Sequence, residues 1–161
     1  MDITIRQFEK DDIKEAVEIW NEVVTDGVAF PQTELLDVKT GLDFFNSQSY
    51  TGIAIKNNEI VGLYILHPNN VGRCGHISNA SYAVKSTMRG QHIGEKLVLD
   101  CLKKAKELNF KILQFNAVVA TNFGALHLYE KLGFIKLGII KNGFLMQDKT
   151  YQDIIPHYIT L

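Results

Sequence analysis

A chain of 161 residues has room for one domain with one core, and its 46% hydrophobic and 22% charged residues mark an ordinary soluble globular protein rather than a fibrous or disordered one. A formal net charge of -1 argues against nucleic-acid binding through bulk positive charge. The two cysteines, Cys74 and Cys101, stand in no short Cys or His spacing suited to zinc, so no metal is expected.

The opening MDITIRQFEK has no long apolar signal region, and no apolar run long enough to span a membrane follows. A cytoplasmic protein with no membrane partner is expected, because reduced thiols fit that compartment. Residues 2–7 alternate apolar and polar, which predicts a half-buried strand. Asp12 and Glu15 form a capping-box pattern ahead of Ile13, Ala16, Val17, Trp20 and Val24, so a helix is predicted over 12–25. A loop over 26–36 holds Gly27, Phe30 and Pro31, and a second helix over 37–47 turns Val38, Leu42 and Phe45 inward.

The run 50–68 reads as a hairpin of two apolar strands around Asn57-Asn58. A less apolar strand is predicted over 75–84 and a helix over 91–108, with Cys101 on its buried face. A strand over 111–119 leads into a helix over 122–132, ended by Gly133. Two further strands are predicted over 134–141 and 149–159. No repeat, linker or low-complexity segment divides the chain, so residues 1–161 read as a single domain. The long helix between strands 75–84 and 111–119 permits a parallel pair, hence a mixed α/β sheet covered by helices.

The stretch VKSTMRGQHIGEK sets two glycines at a strand-turn-helix junction. Unpaired N–H groups at a helix start attract phosphate, glycine lets the ligand approach, and Arg89 can add a charged contact. The familiar alternatives are missing: there is no G-x-G-x-x-G after a strand, no P-loop, no G-x-S-x-G elbow and no H-E-x-x-H helix.

Together with NFGALHLYEKLGF, this stretch resembles the GCN5-related N-acetyltransferase (GNAT) family. The family's phosphate loop runs Gln/Arg-x-x-Gly-x-Gly/Ala; Arg89 and Gly94 match its ends, while His92 replaces its first glycine. Asn122, Ala125, Tyr129, Lys131, Gly133 and Phe134 match the second motif. If residue 92 lies in the first helical turn, its backbone needs no positive φ and the loop can still bind.

The resemblance implies a mixed, mostly antiparallel sheet with a central splayed parallel pair, and acetyl-CoA as co-substrate. It implies pantetheine on the backbone of Tyr82 and Val84, and pyrophosphate on the N–H groups of Gly90, Gln91, His92, Ile93, Gly94 and Glu95, beside Arg89. Asn122 would touch the pantetheine or adenosine side. Tyr129 would give a proton to the departing thiolate.

Many family members carry a basic carboxylate on the strand matching 75–84, but GHISNASYAV has none. His76 is the remaining base by chemistry, and loss of the amine proton to water is the alternative. Asn79 and Asn116 fall on the two splayed strands and Phe30 on the acceptor-side wall, giving three expected substrate contacts. HISNASY and QFNAVV further resemble the branch that includes fungal acetyltransferases of proline analogues such as azetidine-2-carboxylate, where asparagines contact the acceptor. The expected acceptor is therefore the amino group of a small metabolite, an amino acid or analogue. A protein or peptide amine, or a non-catalytic acyl-CoA binding module, is the alternative. Late strands of this fold often pair across subunits, so a homodimer is compatible with the resemblance.

Overall fold

The computed structural model describes residues 2–161. In chain order it contains β1 (Thr4–Gln7), α1 (Ile13–Asp26), α2 (Val38–Ser47), β2 (Tyr50–Lys56), β3 (Glu59–Pro68) and β4 (Ile77–Val84). Then follow α3 (Ile93–Glu107), β5 (Ile112–Phe115), α4 (Phe123–Lys131), β6 (Ile135–Lys136), β7 (Ile140–Leu145), β8 (Tyr151–Ile154) and β9 (His157–Thr160). Seven strands form one sheet in the order β1-β2-β3-β4-β5-β9-β6, and β7-β8 form a separate ribbon. Of these pairings only β4 with β5 is parallel. No helix among the described residues is long and apolar enough to cross a membrane.

The strand pleat sends alternate side chains of β3 to opposite faces. Leu63 and Ile65 join Trp20, Phe30 and Phe45 under α1 and α2, whereas Tyr64 and Leu66 join Leu97, Val98 and Cys101 under α3. Because helices cover both faces, β3 is apolar on both, as a central strand must be. Asn57 and Asn58 both take left-handed backbone, with φ of 53° and 63°, which makes the tight turn of the β2–β3 hairpin.

The sequence reading of the α1 start is corrected by the structure. Asp12 does not cap α1 with Glu15; it is buried, takes a two-pronged bond from Arg6 at 2.7 and 2.8 Å, and accepts the Glu9 N–H at 2.8 Å. Arg6 competes for this carboxylate because its planar fork fits both oxygens at once.

Three expected strands are also shorter. The strand expected over 111–119 ends at Phe115. The one expected over 134–141 divides into β6 and β7, and the one over 149–159 into β8 and β9. Pro156 stands at the second break, where it has no N–H for a ladder, so β8 pairs with β7 while β9 returns to β5.

Candidate active site

β4 and β5 are bonded only at Ile77–Ile112 and Ser78–Leu113. Beyond Phe115 the chain turns away to the β8 end: Ile155 N–H donates to the Val118 carbonyl and Ala120 N–H to the Asp153 carbonyl, each at 2.8 Å. β4 meanwhile stays on β3 as far as Val84–Gly62. The two central strands thus part into a wedge.

Which backbone groups face the wedge follows from alternation. The Lys85 N–H donates to Val61 and the Ile77 carbonyl accepts from Asn69, so odd-numbered residues of β4 bond toward β3. The His76 carbonyl accepts from Lys111, on the β5 side. The N–H and C=O of Tyr82 and Val84 therefore point into the opening, beyond the last β5 partner. An unpaired strand edge of this kind seeks a hydrogen-bonding ligand.

A cavity of about 1010 Å³ fills the wedge. Of the residues expected at the site, Phe30, Asn79, Tyr82, Val84, Arg89, Gly90, His92, Ile93, Gly94, Glu95, Asn116, Asn122 and Tyr129 line it. Two do not. Gln91 turns outward, where its Oε1 accepts from Lys56 Nζ at 2.7 Å. His76 is exposed in the turn before β4, at the paired end of the strands and away from the cavity. It is not placed to act as a base.

The loop before α3 also departs from expectation. α3 begins at Ile93, and His92 precedes it in left-handed backbone with φ 59° and ψ 18°. His92 therefore adopts the conformation a glycine would adopt freely, at a cost of about 1–2 kcal/mol. Its ring is 82% exposed, with Nδ1 3.6 Å from Glu95 Oε2. The loop keeps its path because the strain falls on one residue whose side chain can leave for solvent.

Gly94 and Gly124 were informative for a different reason. A Cβ at either would meet no protein atom within 4 Å, neither has a positive φ, and both line the cavity. Neither backbone strain nor packing demands glycine there, so the bare surface is available to a ligand at the starts of α3 and α4. This cradle, the α3 N–H groups and the free edge of β4 fit a long, pyrophosphate-bearing thioester such as acetyl-CoA.

Charges at this end are paired. Arg89 Nη2 lies 2.9 Å from Asp26 Oδ2 and Lys131 Nζ lies 2.6 Å from Glu95 Oε1. Lys131 holds the Glu95 carboxyl below the usual carboxylate range. Asn122 caps α4, its Oδ1 accepting the Ala125 N–H at 3.3 Å, which orients the side chain and leaves its amide N–H groups for a ligand.

Tyr129 projects from α4 into an aromatic group, with ring centroids 4.5 Å from Phe115, 5.2 Å from Phe134 and 5.7 Å from His157. Burial, with Cys101 nearby, pushes its pKa above the ordinary phenol value, so the hydroxyl keeps its proton at neutral pH. The Tyr82 hydroxyl is fully buried without a hydrogen-bond partner, and burial raises its pKa further.

At the opposite end, Phe30 stacks on Trp20 with centroids 4.4 Å apart, fixing the wall. Asn79 and Asn116 come together through Asn69, whose Oδ1 accepts from both amides at 3.2 and 2.7 Å. Sequence reasoning missed Asn69, which sits outside the strands it serves. The carboxylates that line the cavity, Asp26 and Glu95, are both held in ion pairs, with Arg89 and Lys131.

A mixed sheet split at its one parallel pair, with a glycine cradle at a helix start, defines an acyl-CoA-using transferase fold. The model of the Acetyltransferase (GNAT) family matches residues 14–134, and the chain belongs to that family. It is 38% identical over 95 residues to N-acetyltransferase aca1 of Schizosaccharomyces pombe, covering 58% of this chain and 46% of that protein. The chain thus spans about half the length of that relative. A GCN5-related N-acetyltransferase from Kribbella flavida superposes with a TM-score of 0.91 at 26% identity, covering 99% of this chain and 98% of that one. A phosphinothricin acetyltransferase from Sinorhizobium meliloti, solved in complex with AcCoA, shares the fold with a TM-score of 0.91 at 18% identity over 100% of this chain and 89% of that one.

Proposed function

We propose that this protein is an acetyl-CoA-dependent N-acetyltransferase acting, as one domain, on the amino group of a small amino acid or analogue. The observation that carries the reading is the wedge: it sets a glycine cradle and a free strand edge on one side, and a neutral amide pair on the other. A polyamine would call for free carboxylates beside the acceptor, and Asp26 and Glu95, which line the cavity, are engaged by Arg89 and Lys131.

Acetyl-CoA brings the activated carbonyl. The Val84 N–H is the donor proposed for the oxyanion formed as the amine nitrogen attacks. As the C–S bond breaks, the sulfur takes the electron pair and the Tyr129 hydroxyl gives it a proton. The proton released by the new amide nitrogen returns the tyrosinate to phenol. With His76 outside the cavity, the amine is proposed to lose its first proton to water and to react in its neutral form.

The test is thiol release from acetyl-CoA with glycine, L-alanine, L-proline, azetidine-2-carboxylate, spermidine and an N-terminal peptide, run beside Tyr129→Phe. Release with an amino acid, lowered at least about tenfold in the variant while the acetyl-CoA KM holds, is expected. Tight acetyl-CoA binding without release would point instead to a binding module. Release with the peptide alone would move the acceptor class.

A further inference from the structure

Asn69 lies just after β3, half-buried behind the cavity wall, and its backbone N–H is held by the Ile77 carbonyl at 2.8 Å. Its side-chain oxygen accepts from Asn79 Nδ2 at 3.2 Å and from Asn116 Nδ2 at 2.7 Å. Asn79 is on β4 and Asn116 immediately follows β5, so one oxygen ties together the two strands where they part. Gln114 Nε2 then donates to Asn116 Oδ1 at 3.1 Å.

These bonds determine what the amides have left to offer. Each side-chain amide has two N–H donors and one carbonyl acceptor. With one donor given to Asn69, Asn79 and Asn116 each retain one N–H. The Asn116 oxygen is engaged by Gln114, while the Asn79 oxygen takes no bond from the protein among the described residues. Both amides line the cavity and keep two spare N–H groups between them, and the Asn79 oxygen is the one left without a protein donor. Two N–H groups suit the two oxygens of a carboxylate, and one amide oxygen suits an amine N–H. Without Asn69 either amide could turn over, and the pattern would scramble.

We propose that Asn69 is a positioning residue for the acceptor, orienting Asn79 and Asn116 so that the site selects α-amino acids over amines lacking the carboxylate. This rests on the acceptor reading above. A carboxylate at position 69 would still accept from both amides; an isosteric apolar side chain would accept from neither.

The test compares wild type, Asn69→Asp and Asn69→Leu, with L-alanine and L-proline set against ethylamine and pyrrolidine; Asn69→Asp serves for the amide signals, because its charge beside the site also repels the acceptor carboxylate. Side-chain amide NMR of the free proteins reports the cluster itself. In wild type and N69D, one Asn79 and one Asn116 amide proton should be shifted and slowed in exchange. In N69L both should be lost, with the preference for amino acid over amine falling about tenfold, the size of a hydrogen bond to a charged group. The loss should appear in the acceptor KM, with the acetyl-CoA KM unchanged. An N69L preference within about twofold of wild type would overturn the assignment, as would loss of the amide signals in N69D or a matching change in the acetyl-CoA KM. Turnover of no amino acid by wild type would overturn the acceptor reading and this assignment with it, even with the amide signals as expected.

Discussion

His92 shows how a single residue can depart from a motif without undoing it. At φ 59° it occupies backbone that costs a side chain about 1–2 kcal/mol and costs glycine nothing sterically. Glycine, however, loses more freedom on folding, by roughly 0.5–1 kcal/mol. The terms nearly offset, so His92→Gly should change stability in urea by no more than about 1 kcal/mol. His92→Val should lose more, because a β-branched residue fits left-handed backbone worst. This conformation was not legible in the sequence, where residue 92 reads as helix; the motif's glycine pattern held the information only by analogy. The motif in the sequence puts Tyr129 forward and the structure sets it on the cavity wall, but its aromatic surroundings come from β5 and β9 and were not legible.

At the scale of elements, the start of α3 is where ligand shape and protein packing can be separated. Gly94 faces the cavity with nothing within 4 Å of a would-be Cβ, so Gly94→Val should fold with a melting temperature within a few degrees of wild type. It should nevertheless weaken acetyl-CoA binding at least about tenfold by calorimetry, because the branched side chain would cover the backbone N–H groups proposed for the phosphates. Equal affinity would mean that the cradle holds no phosphate. The helices were readable from periodicity because their buried stripes are continuous, as in the α1 run from Ile13 to Val24. The end of β5 was not, since QFNAVV keeps an apolar character through the point where the chain leaves β4 for the β8 end. That departure makes the wedge, and it is decided by partners some 35 residues away. The split of the last strand at Pro156 was present in the sequence as a missing donor. Asn69 carried no local signal at all, because its partners are 10 and 47 residues distant.

Across the whole molecule, a buried titratable group on β9 ties stability to pH. His157 on β9 is fully buried; its Nδ1 donates to the Ile155 carbonyl at 2.6 Å, and its Nε2 has no partner. Burial lowers its pKa, and the charge of Lys136 pushes the same way, against the opposing carbonyl bond. A lowered pKa means that the unfolded chain takes up this proton first as pH falls. The stability this residue contributes is therefore complete above about pH 6.5 and is lost as pH drops toward the folded value. One proton limits the slope to about 1.4 kcal/mol per pH unit. The carboxylates of Asp12, Glu95 and Glu107 are all held low by cationic partners, so their contribution fails only at lower pH, as they begin to protonate. Denaturant unfolding at pH 7.5 and 5.5 should accordingly show a clear loss for wild type and a much smaller one for His157→Asn, whose amide can keep the bond to Ile155 but does not titrate. The difference between the two pH values is the quantity to compare, since the smaller side chain also leaves a void that lowers both. Because His157 packs against Tyr129, the same loss should loosen the proposed proton donor before the sheet itself gives way.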